Sequence, residues 1–503
     1  MRTKKAILNL AFSMALQFFT AISGFILPIL FINTYGSTIN GLVSSIKQII
    51  SYLNLVEAGV AAAASQALYS PLANKDTHRI NGILSATRQF YIRSGGLFAL
   101  MTIILACVYP FIIGDDVPNY LVAILVIVLG SSGVAEYYLI GKYRVLISAD
   151  QKSYVLCIVQ IIGLILNTIT SIILMLMGFS VVTVLIASSL IYILRVFLLI
   201  AYVTRKYPKI NFNTKPDILA IDKRWDAFIH QIVNMIVFNS PIIILTVFST
   251  LADVSVYSIY LMVFSIITAF VTAFSNGLIA GFGEVLATKE TKTVSNGYRL
   301  FEYIYYSVTV WIYMVAFGMI LPFIRLYTQG IMDADYVQPL LAYMFVLVFL
   351  INNLRVPALT IIYAAGHFKE TKFSAIVEAA ISIIISIVCV QMWGIVGVLI
   401  GSACAAIYRI IDIILYANKH ILYRPPVKSL VYIMFNLVIG ILGYLLFASL
   451  FSLNSNNWFE WIMDSFVLCI GCFILIFIGN FLLDRSSFKD ILKRINSIFR
   501  KVD

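Results

Sequence analysis

Fourteen stretches of this chain each run for roughly 20 or more predominantly apolar residues, the length at which an α-helix crosses ~30 Å of hydrocarbon. Their approximate limits are 6–33, 39–69, 90–113, 120–141, 153–177, 181–204, 228–249, 255–286, 301–325, 338–364, 373–392, 395–417, 429–451 and 462–483. With 61% of its 503 residues hydrophobic and only 12% charged, the chain has too little polar surface to meet water as a soluble globule. Backbone polar groups in hydrocarbon must be satisfied within their own segment. The expectation is therefore an all-α integral membrane protein of about 14 transmembrane helices. The first segment follows Met1-Arg2-Thr3-Lys4-Lys5, runs about 28 residues and has no small-residue cleavage site. It is too long for a signal-peptide core and is expected to stay as the first span.

Charge orients these spans. Of 35 Lys and Arg residues, 30 fall at the N-terminus, in the even-numbered connections or in the C-terminal tail. The odd-numbered connections hold Arg325 alone, beside Asp115, Asp116, Asp253, Asp333, Asp335 and Glu460. By the positive-inside rule both termini of this multi-pass chain are expected in the cytoplasm. The net charge of +12 then belongs to a cytoplasmic rim that attracts anionic headgroups by about 1 kcal/mol per residue near the surface. Membrane lipids are thus expected partners, and nucleic acid has no place in this account.

One offset recurs within the chain. Ser188, Arg195 and Tyr202 are matched 214 residues later by Ser402, Arg409 and Tyr416, and Gln17 by Gln231. Residues 72–76 (LANKD) likewise match 286–290 (LATKE), and Pro28 matches Pro241 within one residue. The reading is a duplication of six spans: an N-terminal lobe over 1–204, a cytoplasmic linker over 205–227 and a C-terminal lobe over 228–418. Two extra helices over 419–484 and a basic cytoplasmic tail over 485–503 complete the chain. Six is even, so both copies share one orientation, as in transporters that hold substrate between parallel repeats and rock them for alternating access.

Polar stripes mark the faces turned to such a space. In the first span Asn9, Ser13, Gln17, Thr20, Ser23 and Gly24 share a narrow arc. In the second Lys47, Ser51, Asn54, Ala58, Ala61 and Ser65 do the same, and a weaker stripe runs through Ser265, Thr272 and Ser275. Small-residue helix packing uses Ser, Thr, Ala and Gly equally well, but Asn, Gln and Lys exceed what close packing requires. Four cations are assigned neither to a connection nor to a terminus: Lys47, Arg195, Arg355 and Arg409. A charge at bilayer depth costs at least about 2.5–3.5 kcal/mol and normally faces water, a partner or a ligand. Lys47 snorkelling to the interface is the plain alternative, and Asp412, one helical step from Arg409, is the plain partner for that residue. Asn352 precedes Arg355 in the tenth span. Intramembrane acids include Glu57, Glu136, Glu284, Glu378 and Asp412, with none in the first or seventh span. With no carboxylate in the first or seventh span to hold a cation, and cations within the membrane, the expected cargo is anionic.

The connections offer no catalytic chemistry. They contain no glycine-rich phosphate loop, no Ser/His/acid set and no metal-ligand motif. The six cysteines all fall in spans and read as small core residues. No enzyme activity, cofactor or metal is expected. Any pumping must draw on an ion gradient or the membrane potential, with Glu57 or Asp412 as coupling candidates for H+ or Na+.

Residues 2–6 (RTKKA), 35–37 (YGS), 40–46 (NGLVSSI) and 55–60 (LVEAGV) resemble bacterial polysaccharide flippases of the capsule and O-antigen type. Residues 364–372 (AAGHFKETK) and 394–401 (GIVGVLIG) are similar to the second half of the same family. The resemblance covers essentially the full chain. It implies the multidrug/oligosaccharidyl-lipid/polysaccharide exporter superfamily, with two pseudo-symmetric six-helix lobes in a V shape and often two extra helices. It implies as cargo an oligosaccharide repeat unit on undecaprenyl diphosphate, turned across the bacterial cytoplasmic membrane, with polysaccharide polymerase and glycosyltransferases as partners. Lys47, Arg355, Arg195 and Arg409 are the candidate diphosphate ligands, with Asn9, Gln17, Ser51, Asn54 and Asn352 lining the cavity. By analogy with the related lipid II flippase, the two extra helices offer a groove for the prenyl tail. Three rivals stand: a cation-coupled multidrug extruder of the same fold, which predicts carboxylates in the first or seventh span; a lipid II flippase; and a scaffold that organises polysaccharide synthases without transporting.

Overall fold

The protein is described as a computed structural model covering residues 2–57, 60–217, 225–276, 282, 291–450, 455–486 and 488–489. Among these residues every regular element is helical: α1 Arg2–Leu53, α2 Val60–Asn74, α3 Thr77–Ile113, α4 Asn119–Ala135, α5 Gly141–Ala149, α6 Ser153–Leu176, α7 Val181–Lys206, α8 Trp225–Phe248, α9 Leu251–Asn276, α10 Thr291–Tyr327, α11 Pro339–Leu354, α12 Val356–Ala364, α13 Phe368–His420, α14 Val427–Leu450 and α15 Trp458–Leu483. Among the described residues, eleven helical stretches are long and apolar enough to cross a membrane. The protein is a multi-pass membrane protein with the all-α fold expected from its hydropathy.

The expected segments and the observed helices differ where backbone chemistry intervenes. The first two segments form one helix broken at Gly36, whose φ of 84° belongs to the left-handed region. The eleventh and twelfth are likewise merged in α13, with the break at Trp393–Gly394 and φ 51° at Gly394. The second segment is not one helix: a 3₁₀ turn over Asn54–Glu57 separates the end of α1 from α2. The tenth breaks at Arg355 between α11 and α12, where Pro357 lacks the amide that would continue the hydrogen-bond ladder. A π-helical turn over Glu136–Ile140 joins α4 to α5. Lys223, Arg224, Glu284, Lys289 and the tail from residue 490 lie outside the described residues.

The chain packs as two compact units, Met1–Ser258 and Ile259–Asp503. In the first, α1 lies along α6, α3 along α4, and α6 along α7. Its core includes Leu42, Ile46, Leu84, Phe98, Tyr109 and Leu146, with the ring of Tyr137 6.1 Å from Tyr91 and 5.1 Å from Phe98. The N-terminal half of the 205–227 segment is an ordered strap on α3. Asp217 N–H donates to Gly82 O (3.0 Å), Asn211 N–H to Asn81 Oδ1 (3.0 Å), and Ser85 Oγ–H to Phe212 O (2.6 Å).

In the second unit, α10 packs against α11, α14 and α15, and α11 against α13. A stack of Tyr260, Phe345 and Phe264 fills its centre, with centroids 5.2 and 5.7 Å apart. Of the last two helices, α15 is fastened to α10 by Trp311 Nε1–H donating to Cys469 O (2.8 Å) and Trp461 Nε1–H to Met319 O (3.1 Å). The two are held to each other by reciprocal amide bonds between Asn436 and Asn480 at 2.7 and 3.2 Å. Of the six cysteines, Cys157 and Cys472 are buried, whereas Cys107 is exposed on α3 rather than in the core.

Candidate functional site

The sequence-derived cations occupy different settings. Lys47 is exposed on the length of α1 that follows Gly36, and no described residue pairs with its ammonium group. Ser51 follows it by four residues, about 6 Å along the same helix face, and Asn54 opens the 3₁₀ turn beyond α1. Asn54 is exposed. Ser51 is half-buried and accepts from Asn239 Nδ2 of α8 at 3.1 Å.

Arg355 and Arg409 are buried, at 4% and 3% exposure, and both bind Glu378. Arg355 pairs with Oε1 of that carboxylate, and Arg409 lies 3.2 Å from Oε2. Arg409 also reaches Asp412 at 3.1 Å and hydrogen-bonds Ser374. Two guanidinium groups thus face two carboxylates, and the cluster carries no surplus charge toward a ligand. Arg195, 214 residues before Arg409, lies across Gly163 of the preceding span with its guanidinium 5.3 Å from the ring of Tyr192. Each of these two arginines rests on the helix before it. At the 214-residue offset Glu378 corresponds to Leu164, and the carboxylate that acts on Arg195 is that of Glu136 in the π-helical turn.

The polar stripe of the first span divides. Asn9 joins the chain to the α5–α6 connection, donating to Gln151 O at 3.1 Å and accepting from Tyr154 N–H at 2.8 Å. Ser13 contacts Cys157, and Ser23 bonds Thr168 at 2.8 Å. Those three bind helix to helix. Gln17 is exposed and has no partner among the described residues. Asn352 donates to Val348 O at 2.9 Å while its Oδ1 is buried without a partner. Of the coupling candidates, Asp412 pairs with Arg409, and the Glu57 side chain lies outside the described residues.

Sequence reasoning missed Glu302. It stands at the start of the ninth span, fully buried, and accepts from Ser429 Oγ–H at 2.6 Å while pairing with Arg424. Its signal was present: Tyr298, Glu302, Tyr306, Thr309 and Tyr313 recur at helical spacing on one face of α10. Asn353 was passed over too; its Nδ2 donates to Tyr313 OH (2.8 Å) and Thr268 Oγ1 (3.1 Å) in the core of the second unit.

Outside the spans, Asp150 gathers Lys5 (3.0 Å), Lys152 (2.6 Å) and the Tyr207 hydroxyl (2.5 Å). Burial alone pushes its carboxyl up, but hydrogen bonds from Lys152, Tyr207 and Lys5 and the Lys152 charge outweigh it and hold the group below its ordinary 3.8. Burial and the bond to Asp150 push the Tyr207 hydroxyl well up. Among the described residues no three His, Cys, Asp or Glu side chains gather as a metal site would need.

Solved structures similar to this chain come from membrane transport. The lipid II flippase MurJ in an inward closed conformation superposes with a TM-score of 0.69 over 95% of this chain and 100% of its own, at 15% identity. The chain has the fold shared by MurJ and the MATE transporters. An inward-facing multidrug resistance MATE family transporter of the MOP superfamily matches with a TM-score of 0.60 at 13% identity, covering 82% of this chain and 98% of its own. A mutant of the Vibrio cholerae MATE transporter VcmN gives 0.59 at 14% identity over 84% and 98%. No protein-family model and no curated protein matches the sequence.

Proposed function

We propose that the protein is a flippase that carries undecaprenyl-diphosphate-linked oligosaccharide repeat units across the bacterial cytoplasmic membrane for surface polysaccharide such as capsule or O-antigen. The lobes 1–204 and 228–418 alternate access, the linker 205–227 and both termini are cytoplasmic, and 419–484 is an appendage that receives the prenyl tail. The observation that carries this reading is Lys47: exposed on a membrane-spanning helix, without an ion-pair partner among the described residues, in a chain with the MurJ and MATE fold. A charge in that position persists where it meets water and a ligand. Lys47 takes the diphosphate, and Gln17, Ser51 and Asn54 meet sugar hydroxyls. Arg355, Arg409 and Arg195 join the site only as their present contacts open. H+ or Na+ movement, or the membrane potential at about 2.3 kcal/mol per charge per 100 mV, drives the cycle, with Glu57 and Asp412 as coupling groups. Polysaccharide polymerase and glycosyltransferases act on either side of this step.

A strain lacking the gene tests it. Lipid-linked repeat units accumulate at the cytoplasmic face and surface polysaccharide is lost; wild type restores both and Lys47→Ala does not. Accumulation of lipid II instead would establish the second reading, favoured by the extent of the MurJ match. Intact polysaccharide with raised sensitivity to cationic drugs would establish a multidrug extruder.

A further inference from the structure

The second span changes partners half-way. From Asn40 to Tyr52 it is zipped to α8 and the start of α9, with positions rising on one side as they fall on the other. Asn40 Nδ2 donates to Ser255 Oγ (2.7 Å), Ser45 Oγ bonds Thr246 Oγ1 (2.5 Å) and the Tyr109 hydroxyl, Asn239 Nδ2 donates to Ser51 Oγ, and Tyr52 OH meets Ile236 O (3.5 Å). Asn40, Ser45, Thr246 and Ser255 are all buried. Gly41 permits the approach, because a Cβ there would overlap the Leu251 carbonyl. Beyond the break, α2 packs on α3 and α5 instead.

The break is a 3₁₀ turn, Asn54–Glu57, and the Tyr137 hydroxyl donates to Asn54 O at 3.2 Å. Tyr137 itself lies in the π-helical turn Glu136–Ile140. Both kinds of irregularity within helices mark hinges and functional positions, and here one hydrogen bond joins them. A backbone carbonyl at an interrupted ladder inside a membrane needs a donor from elsewhere.

We infer that the second span is jointed at Asn54–Glu57 and that Tyr137 is a positioning residue for transport. Its hydroxyl holds the bend that keeps 40–53 zipped to α8 and α9, and that zip is the seal on the face which the charge distribution makes extracellular. Opening to that face parts the zip while α2 stays on α3 and α5. Interhelical hydrogen bonds in membranes are individually weak, so a zip of this kind is reversible. The inference rests on the transporter reading for its purpose and on the helix contacts for its geometry.

Tyr137→Phe tests it, because the ring and its packing remain and only the hydroxyl is lost. In a background without the native cysteines, Asn40→Cys with Ser255→Cys forms a disulfide on oxidation in wild-type Tyr137. With Phe at that position the cross-linking rate falls about fivefold and alkylation of Ser45→Cys from outside rises about fivefold, the population ratio one hydrogen bond sets. Ser45→Ala, which weakens the zip without touching the joint, shifts cross-linking the same way. The 40–255 disulfide stops transport, and reductant restores it. Unchanged cross-linking and labelling in Tyr137→Phe, or full transport through the intact disulfide, overturns the inference. A labelling shift in a protein that moves no lipid-linked sugar upholds the joint and rejects the cargo.

Discussion

Arg355 and Arg409 share one carboxylate: Arg355 bonds Oε1 of Glu378 and Arg409 lies 3.2 Å from Oε2, so three consecutive spans of the second unit are clamped at a single point. Removing the carboxylate leaves two buried guanidinium groups without it, and an uncompensated buried charge costs about 3–5 kcal/mol. Glu378→Gln is expected to lower thermal stability in detergent steeply. Replacing Glu378, Arg355 and Arg409 together by apolar residues of similar volume is expected to cost much less. If Glu378→Gln were as stable as wild type, the clamp would have no structural weight.

Lys47 is the contrasting case. It is exposed, and no described partner depends on it. Lys47→Ala is expected to change stability by no more than about 0.5 kcal/mol and to reduce flipping of lipid-linked sugar by about 10- to 100-fold, the range of one charge-assisted hydrogen bond. Transport assays on reconstituted protein, run beside thermal melts, separate the two effects. Equal loss of both would make Lys47 a packing residue. Lys47→Arg retains the charge and is expected to retain most activity.

Hydropathy made the spans legible because apolar length is a local property, and the turns at Gly36 and Gly394 fall between expected segments for the same reason. Lys47 stood out because its polar stripe is periodic on one helix. The neutralisation of Arg355 was not legible: Glu378 lies 23 residues away on another helix, and no local pattern reports which acid a buried arginine meets. Asn9 and Ser23 fell on the stripe with Gln17, yet Asn9 accepts from Tyr154 N–H and Ser23 bonds Thr168, both of α6, since an arc on a helical wheel does not say which neighbour covers it. The π-helical turn at Glu136–Ile140 leaves no compositional mark, so nothing in the sequence points to Tyr137 as the partner of Asn54 O.

Glu302 and Arg424 predict a second stability effect with a different signature. Arg424 lies between α13 and α14, where its Nε donates to Asn418 Oδ1 at 2.6 Å and its guanidinium sits 4.8 Å from the Tyr298 ring while pairing with Glu302 of α10. Arg424→Gln strands a fully buried carboxylate and is expected to cost about 3–5 kcal/mol, loosening α14 from α10. Limited proteolysis between α13 and α14 reads that loosening directly. Glu302→Gln keeps an acceptor for Ser429 and is expected to be milder if the ion pair is replaced by neutral hydrogen bonds.

Asp150 supplies the pH dependence. Its carboxyl is held below the ordinary value in the folded protein, so its bonds to Lys5, Lys152 and Tyr207 stabilise fully above the unfolded value of 3.8 and fade as pH falls through the lower folded value. Asp150→Asn removes the charge at every pH, and hydrogen bonds to charged groups contribute about 1.5–3 kcal/mol. The variant is therefore expected to be less stable than wild type by an amount of that order from pH 5 to 8, with the gap closing only below pH 3.8. Thermal melts of both proteins across that range make the comparison. A gap that closed near pH 6 instead would assign the effect to another group, and no gap at pH 7 would mean that the latch between the N-terminal segment and the α5–α6 connection contributes nothing to the fold.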